Sequence, residues 1–250
     1  VTPSGANALK GQASYRFQRQ PLVALPFFSP TTVKPPTEVN IFTIDNGGPI
    51  VRDRTFYFGG FESTRRDLSG ARVITISPAN ASRLGLNEPA YMPTKATTQF
   101  AIGKVDHVLS DANRMNVRYI FFDNSITNNI GGGINSVQRG TDFIDRQHST
   151  AGQLASTIGS TMLNEVRVQY ATRAQSRVAG AQAGSGPAIT IPGIAQFGGA
   201  IPDASNGAGF AFTQNQFQVL DNFTRIRGNH AYKFGASVEI VTDTRTRFFS

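Results

Sequence analysis

The sequence contains no cysteine and no tryptophan, and it has only three histidines and three methionines. Without cysteine the chain has no disulfide framework, no thiolate or iron–sulfur metal site and no cysteine nucleophile. Charged residues make up 16% of the sequence, against roughly 25% in an ordinary soluble domain. This shortage of charge, together with 25 glycines and 19 phenylalanines, is not typical of a cytosolic enzyme.

Long apolar runs are also missing. No run approaches the roughly 20 residues that a transmembrane helix requires, which excludes a helical membrane protein. The first residues, Val1 to Gly5, have no initiating methionine and none of the charged and apolar regions of a signal peptide. The last residues, 244–250, follow a strand-like run and stop abruptly. We therefore expect an internal fragment of a longer protein.

Patterns for catalysis and metal binding are absent as well. His107, His148 and His230 fall in three different predicted hairpins, and their spacing does not suit a metal site. The sequence has no nucleophile elbow, Walker loop or dinucleotide-binding glycine pattern, and glycines 131–133 lie in a polar loop. We expect no enzyme activity, no catalytic or metal-binding residue and no cofactor.

Basic residues are in excess. Lysine and arginine number 24 against 16 acidic residues, which gives a net charge of +8. Such an excess suits an anionic partner, either nucleic acid or a lipopolysaccharide surface. A nucleic-acid site needs basic residues clustered on one face, whereas here they are spread over separate predicted strands, so we expect no nucleic-acid binding. Phosphates of lipopolysaccharide are predicted partners of Arg65, Arg66, Arg72, Arg139 and Arg146, in or near long loops.

The strongest positive feature is the alternation of apolar and polar residues, which gives a strand two chemically different faces. The alternation is clearest over residues 232–241 and recurs over 9–18 and 165–173. Each run is about ten residues long, the length that a tilted strand needs to cross a bilayer. Helix is scarce, with one short helical stretch predicted at 78–84.

Two kinds of connection alternate along the chain. Short turns are predicted at 47–54, 110–114, 159–163 and 227–230, and the glycine–glycine–proline sequence 47–49 suits a tight turn. Long polar or glycine- and proline-rich stretches lie at 19–37, 66–98, 125–146 and 176–213. Between them we predict a strand at 9–18 and hairpins at 38–65, 99–124, 147–175 and 215–245.

Tight turns on one side of a sheet and long loops on the other are typical of outer-membrane barrels. The predicted fold class is therefore all-β, an antiparallel transmembrane β-barrel segment of about nine strands in the outer membrane of a Gram-negative-type bacterium. The alternative is a soluble β-sandwich, whose strands are usually about five or six residues long and whose turns recur every 8 to 12 residues or so.

The alternation assigns side chains to the two surfaces of this barrel. Lipid-facing candidates are Tyr15, Phe17, Val166, Val168, Tyr170, Tyr232, Phe234, Val238 and Ile240. Lumen-facing candidates are Lys10, Arg16, Arg118, Glu165, Arg167, Arg173, Lys233 and Glu239.

Two stretches and one aspartate leave the assignment open. Residues 56–58 and 120–122 place aromatic or aliphatic side chains on both faces, which suits either aromatic girdles or a covered inner face. Asp221 has the parity of Phe217 and Val219, so it points toward lipid unless it lies near an interface or a bulge shifts the register.

Five motifs, in order and at hairpin spacing, resemble TonB-dependent receptors of the Oar-like type, which often carry an N-terminal carboxypeptidase-regulatory-like domain. The most specific one is GGPIVRDRTFYFGGFE at residues 47–62. The others are VTPSGAN at 1–7 with Gly11, FAIGKVDHVLSDANRMNVR at 100–118, LNEVR at 163–167, and DNF at 221–223 followed by RGNH at 227–230 and KFG at 233–235.

The resemblance implies a barrel of about 22 strands around a plug, a TonB-contacting box, and energy-coupled uptake of a large or scarce ligand. It implies that residues 1–8 end the plug and lead into the barrel, and that 9–250 form the N-terminal part of that barrel. Implied partners are outer-membrane lipid and lipopolysaccharide, the plug, TonB and an unknown ligand, with loop contacts at Phe143, Phe197, Phe210 and Phe212. The alternative functions are a structural, adhesion or secretion barrel without transport and a soluble binding protein.

Overall fold

The structure, a computed structural model, describes residues 6–25, 34–199 and 209–247. Eleven strands lie in these residues, and all except the short β8 and β9 belong to one sheet. The strands are β1 (Lys10–Arg19), β2 (Glu38–Val51), β3 (Thr55–Asp67), β4 (Lys95–Ser110), β5 (Asn113–Ile130), β6 (Thr141–Ile158), β7 (Met162–Ala179), β8 (Ala188–Ile191), β9 (Ala195–Gly198), β10 (Phe210–Arg227) and β11 (His230–Arg247).

The main sheet is a single antiparallel layer of nine strands. Neighbouring strands follow one another along the chain, with β10 taking the place beside β7. Every neighbouring pair is antiparallel, which confirms the predicted nine strands and their order. The sheet is not closed within the described residues, since β1 and β11 each have one neighbour. No second sheet packs face to face on it there, so the β-sandwich alternative is wrong.

The predicted alternation of short and long connections is confirmed. Tight turns at 52–54, 111–112, 159–161 and 228–229 lie at one end of the sheet. Three of them contain a residue in the left-handed region: Asp53 (φ 60°), Gly159 (φ 62°) and Gly228 (φ 59°). The described parts of connections 20–37, 68–94, 131–140 and 180–209 lie at the other end, which we call the loop side.

Gly47, Gly48 and Pro49 lie within β2 and do not form the expected turn, which is at residues 52–54. A Cβ atom on Gly48 would lie 3.0 Å from Leu9 Cδ1, so this glycine lets the segment before β1 approach closely. The pairing of β2 with β3 shifts register between Pro49 and Val51. Glycine and proline therefore serve a close approach and a bulge at the end of the strand, and the turn follows them.

The long strands extend further toward the loop side than expected. Strands β5, β6, β7, β10 and β11 each contain 18 residues. Phe143, Phe210 and Phe212, which were assigned to loops, consequently lie in β6 and β10. Backbone pairing continues beyond the apolar part of each strand, where alternation of hydrophobicity no longer marks a strand.

The buried hydrophobic cluster of the described residues lies in the long connections, and among these residues only Ala96 and Ala171 are buried hydrophobic residues of the main sheet. Ile74, Ile76, Ala81, Leu86, Met92 and Ala195 form the cluster. They come from segments 68–94 and 180–199, and Val137 of segment 131–140 packs against them. We call these three segments the loop cap.

The predicted short helix is confirmed as α1 (Pro78–Arg83), which lies inside the loop cap. Ser77 begins it by accepting a hydrogen bond from the backbone N–H of Asn80. No helix within 6–25, 34–199 and 209–247 is both long and apolar enough to cross a membrane.

Candidate functional site

The register assigns every strand residue to one of two faces, because directly opposed residues of antiparallel strands project to the same side. All nine residues predicted to face lipid share one side, which we call the apolar face, and all eight predicted to face the lumen share the other, the polar face. Which face meets lipid and which meets the lumen stays a prediction.

The register also resolves the two ambiguous aromatic stretches. Tyr57 and Phe121 lie on the apolar face, whereas their sequence neighbours lie on the polar face: Phe56, Phe58, Ile120 and Phe122. Asp221 lies on the apolar face opposite Val166 and Ala236, and the pairing of β10 is regular there. No bulge therefore turns this carboxylate away.

The apolar side chains form a band that crosses the apolar face diagonally. In β11 the band extends from Tyr232 to Ile240. The row of paired residues that starts at Ile240 reaches β1 at Gly11. The aromatic residues of β1, Tyr15 and Phe17, lie further toward the loop side. The band thus rises toward the loops from β11 to β1, as in a barrel whose strands are tilted.

A concave basic region lies at the centre of the polar face. It encloses about 420 Å³ and is lined by Lys104, Arg118 and Arg167 together with amide side chains. Lys104 Nζ lies 2.9 Å from an oxygen of Asp106, and Arg167 Nη2 lies 3.3 Å from an oxygen of Glu165. These pairs offset part of the positive charge, while Arg118 has no ion pair with a carboxylate in the described part of the chain.

Beside the basic region lies a group of apolar side chains, which we call the apolar patch of the polar face. Phe100 is directly opposite Phe122, and Ile102 is directly opposite Ile120. Phe58 of β3 is a diagonal neighbour of Ile102. Apolar side chains are unfavourable in contact with water, and exposed apolar patches generally mark a contact surface.

The loop-side end of the polar face carries an arginine held between two phenylalanines. Arg177 in β7 is directly opposite both Phe143 in β6 and Phe210 in β10. Its guanidinium carbon lies 5.5 Å from the centre of the Phe143 ring and 5.4 Å from that of Phe210. These are cation–π distances. No ion pair joins Arg177 to an acidic residue within the described ranges, and its buried Nε has no hydrogen-bond partner there.

A second arginine and aromatic pair lies nearby on the same face. Arg173 donates two hydrogen bonds to Asp145, at 2.8 and 2.6 Å, and its guanidinium carbon lies 5.8 Å from the Phe212 ring centre. Gln175 donates a further bond of 3.2 Å to Asp145, which is 7% exposed. We call Phe143, Asp145, Arg173, Arg177, Phe210 and Phe212 the rim cluster.

The structure thus brings together three of the four phenylalanines proposed as ligand contacts. The fourth, Phe197 in β9, packs against the hydrophobic core of the loop cap. Its environment is that of a side chain holding loop segments together. Arg177 was missed because the predicted alternation ended at Arg173, although the two arginines share the parity of one strand face.

The loop cap is tied together by polar contacts between distant segments. The carboxylate of Glu88 accepts hydrogen bonds from Ser136 Oγ and from the backbone N–H of Val137. Arg139 is 1% exposed and donates a hydrogen bond of 2.7 Å to the carbonyl of Gly199. The three segments therefore form one folded unit at the loop side.

Within the described residues no group of three or more histidine or acidic side chains is arranged to hold a metal ion. His107 Nδ1 lies 2.8 Å from Thr55 Oγ1, and His148 Nδ1 lies 2.7 Å from the hydroxyl of Tyr119. Both contacts join neighbouring strands. The polar face offers cationic, aromatic and amide side chains for recognition, together with carboxylates such as Asp145 and Glu165.

Comparison with known proteins identifies the family. The sequence profile described as "Outer membrane beta barrel domain" matches residues 1–101 and 87–249. No curated protein matches the chain. Similar solved structures include BauA, the ferric preacinetobactin receptor from Acinetobacter baumannii, with 12% identity and a TM-score of 0.49 over 84% of this chain. They also include the siderophore receptor PiuA from the same organism, with 10% identity and a TM-score of 0.45 over 96%.

The chain spans 34% of the length of the first of these proteins and 42% of the second. The family profile covers nearly all of the sequence, and the single sheet of long antiparallel strands agrees with it. The chain therefore belongs to the outer membrane β-barrel domain family, and its location is the outer membrane.

Proposed function

We propose that the chain forms part of the wall of a TonB-dependent receptor of the Oar-like type that takes up a large or scarce ligand. In this proposal the apolar face contacts lipid and the polar face lines the lumen. The loop side faces the cell exterior, as in outer-membrane barrels generally. Residues 1–8 lead in from a plug, and residues 9–250 belong to the barrel.

The observation that carries the proposal is the mixed character of the polar face. Its apolar patch, which includes Phe58, Phe100 and Phe122, needs a protein surface to cover it. The neighbouring basic region, with Lys104, Arg118 and Arg167, suits acidic or polar groups of the same covering domain. A plug inside the barrel supplies such a surface, whereas an open channel leaves the patch in water.

The receptor-like motifs support the same interpretation by their position. The motif at 47–62 occupies the end of β2, a tight turn and most of β3. The motifs at 221–223, 227–230 and 233–235 occupy the same three parts of the hairpin β10–β11. Residues 1–5 of the first motif lie outside the described residues. The remaining motifs thus coincide with hairpins of the wall.

The rim cluster is the proposed ligand contact of this receptor. It lies on the polar face at the loop side, where a solute from outside first meets the lumen. Arg177 offers guanidinium N–H donors from between Phe143 and Phe210, and planar guanidinium groups bind carboxylates and phosphates in bidentate fashion. The cluster therefore suits a ligand with an anionic group and apolar surface.

Binding to TonB tests the receptor proposal. The full-length protein is purified from outer membranes in mild detergent and exposed to the immobilised periplasmic domain of TonB from the same bacterium. We expect saturable binding that competes with a peptide carrying the TonB-contacting box. Absence of binding by a correctly folded barrel would favour the alternative of a structural, adhesion or secretion barrel.

A further inference from the structure

Two cations lie on the apolar face just beyond the apolar band, on the loop side. In β2 and β3 the band ends at Phe42 and Phe61, and Ser63 then Arg65 follow along β3. Lys95 begins β4 opposite Asp67, which makes it a diagonal neighbour of Arg65. Diagonal neighbours on one face have Cα atoms about 7–8 Å apart, so one ligand group can reach both side chains.

These cations differ from the others along the same border. Arg19 lies 3.6 Å from Glu38, and Arg146 lies 2.6 Å from Asp123. Arg65 and Lys95 are exposed and form no ion pair with a carboxylate in residues 6–25, 34–199 and 209–247. Asp67 Oδ1 instead accepts a hydrogen bond of 2.9 Å from the backbone N–H of Ser69.

We propose that Arg65 and Lys95 form a binding site for a phosphate group of lipopolysaccharide, with its acyl chains along Phe42 and Phe61. Basic side chains beside an apolar membrane surface attract anionic lipid head groups, and arginine suits the geometry of phosphate oxygens. Cations for the phosphate group and apolar side chains for the acyl chains therefore lie within a few residues of each other at this border. The site requires only that the apolar face meets lipid, and it is independent of ligand uptake.

Sequence alone also suggests Arg66 as a partner of lipopolysaccharide phosphates, but the register places it on the polar face, so it provides a matched control. It follows Arg65 in β3, is also exposed, and pairs with Val39 and Ala96 on the opposite face. The two arginines therefore have the same charge and the same height on the strand. They differ in the face from which they project.

The experiment measures lipopolysaccharide that co-purifies with the full-length protein from outer membranes after extensive detergent washing. Lipid A per barrel is quantified by mass spectrometry for the natural protein, for Arg65→Gln with Lys95→Gln, for Arg65→Glu with Lys95→Glu, and for Arg66→Glu. Heat-dependent gel migration identifies folded barrels in each preparation. A parallel wash with inorganic phosphate tests whether a free anion displaces the bound lipid.

We expect each double variant to retain at most about one fifth of the lipid A that the natural protein retains. Arg66→Glu should retain the natural amount. Inorganic phosphate should release little, because it lacks the acyl chains that bind the apolar band. Equal retention by a folded double variant and the natural protein overturns the site. Loss caused by Arg66→Glu alone overturns both the site and the assignment of the apolar face to lipid. Displacement by phosphate alone indicates a general anion site.

Discussion

At the residue scale, neighbouring residues in one strand can have opposite environments. Val168 and Gln169 are consecutive in β7, and each is directly opposite a residue of its own kind in β10, Val219 and Gln218. The alternation that separates them is visible in the sequence. For this reason the division of side chains between the two faces was predictable, including all seventeen candidate positions.

Substitution by arginine tests the assignment of these faces. In the full-length barrel, Val168→Arg should reduce the amount of folded protein in the outer membrane, because arginine facing lipid costs about 2–4 kcal/mol at the bilayer midplane. Gln169→Arg is the matched control and should assemble normally. The amounts are measured by heat-dependent gel migration of outer-membrane fractions. Equal assembly of the two variants would contradict the assignment.

Asp145 gives a second prediction at this scale, because it is nearly buried and accepts three hydrogen bonds. Asp145→Asn removes the charge that Arg173 and Gln175 contact. We expect the free energy of unfolding to fall by about 1–3 kcal/mol.

The exposed pair of Asp243 and Arg245 in β11 supplies the control. Arg245 Nη2 lies 2.7 Å from Asp243 Oδ2, but the side chain of Arg245 is 70% exposed. Asp243→Asn should therefore lower the free energy of unfolding clearly less than Asp145→Asn does. Both values come from urea unfolding of the intact protein in lipid vesicles. A larger loss for Asp243→Asn would show that the rim cluster does not hold the strands together.

At the scale of elements, the loop cap holds the buried hydrophobic cluster of the described residues. Its core residues come from segments more than a hundred positions apart, such as Ile74 and Ala195. Backbone hydrogen bonds also join Ile134 to Gln196 and Val73 to Gly133. The three segments of the loop cap therefore form one folded unit at the loop side.

Two substitutions should loosen this unit. Arg139→Met removes the buried bond to Gly199, and Glu88→Gln weakens the bonds to segment 131–140. We expect limited proteolysis within the loop cap to become about tenfold faster in each variant, because local opening becomes easier by about 1 kcal/mol or more. Arg83→Met, at an exposed position of α1, is the control and should leave the rate unchanged. Unchanged cleavage in all three variants would mean that other contacts hold the cap.

The elements also show where prediction from sequence succeeds and where it stops. In a strand with one apolar face, apolar residues recur at every second position. The nine long strands and their tight turns were therefore predictable. Phe143 and Phe210 lie in parts of strands where both faces are mixed, and the sequence has no period there. The loop cap depends on pairs such as Glu88 and Val137, whose contact no local pattern indicates.

At the scale of the whole molecule, the nine-stranded sheet has two edges in the described residues, β1 and β11. Each edge presents backbone N–H and C=O groups that need partners, and such groups are costly in a lipid environment. We therefore expect the sheet to be stable only as part of a closed assembly.

Expression of the 250-residue chain alone tests this dependence. We expect it to aggregate in detergent-free buffer and to show no cooperative unfolding, because both edges and the apolar face are exposed. The full-length protein refolded into vesicles is the control and should give the heat-dependent gel shift of a closed barrel. A monodisperse chain that unfolds cooperatively in buffer would contradict the prediction.

The diagonal course of the apolar band has a consequence for comparing positions in this wall. Residues joined by hydrogen-bonded pairing, such as Tyr15 and Thr244 at the two ends of one row, are not at equal depth in the bilayer. If the apolar face meets lipid, Tyr15 lies within the apolar band, whereas Thr244 lies beyond the loop-side end of the band at Ile240. Residues at equal depth lie along the slanting line from Val238 toward Tyr15. The effects of substitutions at different positions should therefore be compared along that line.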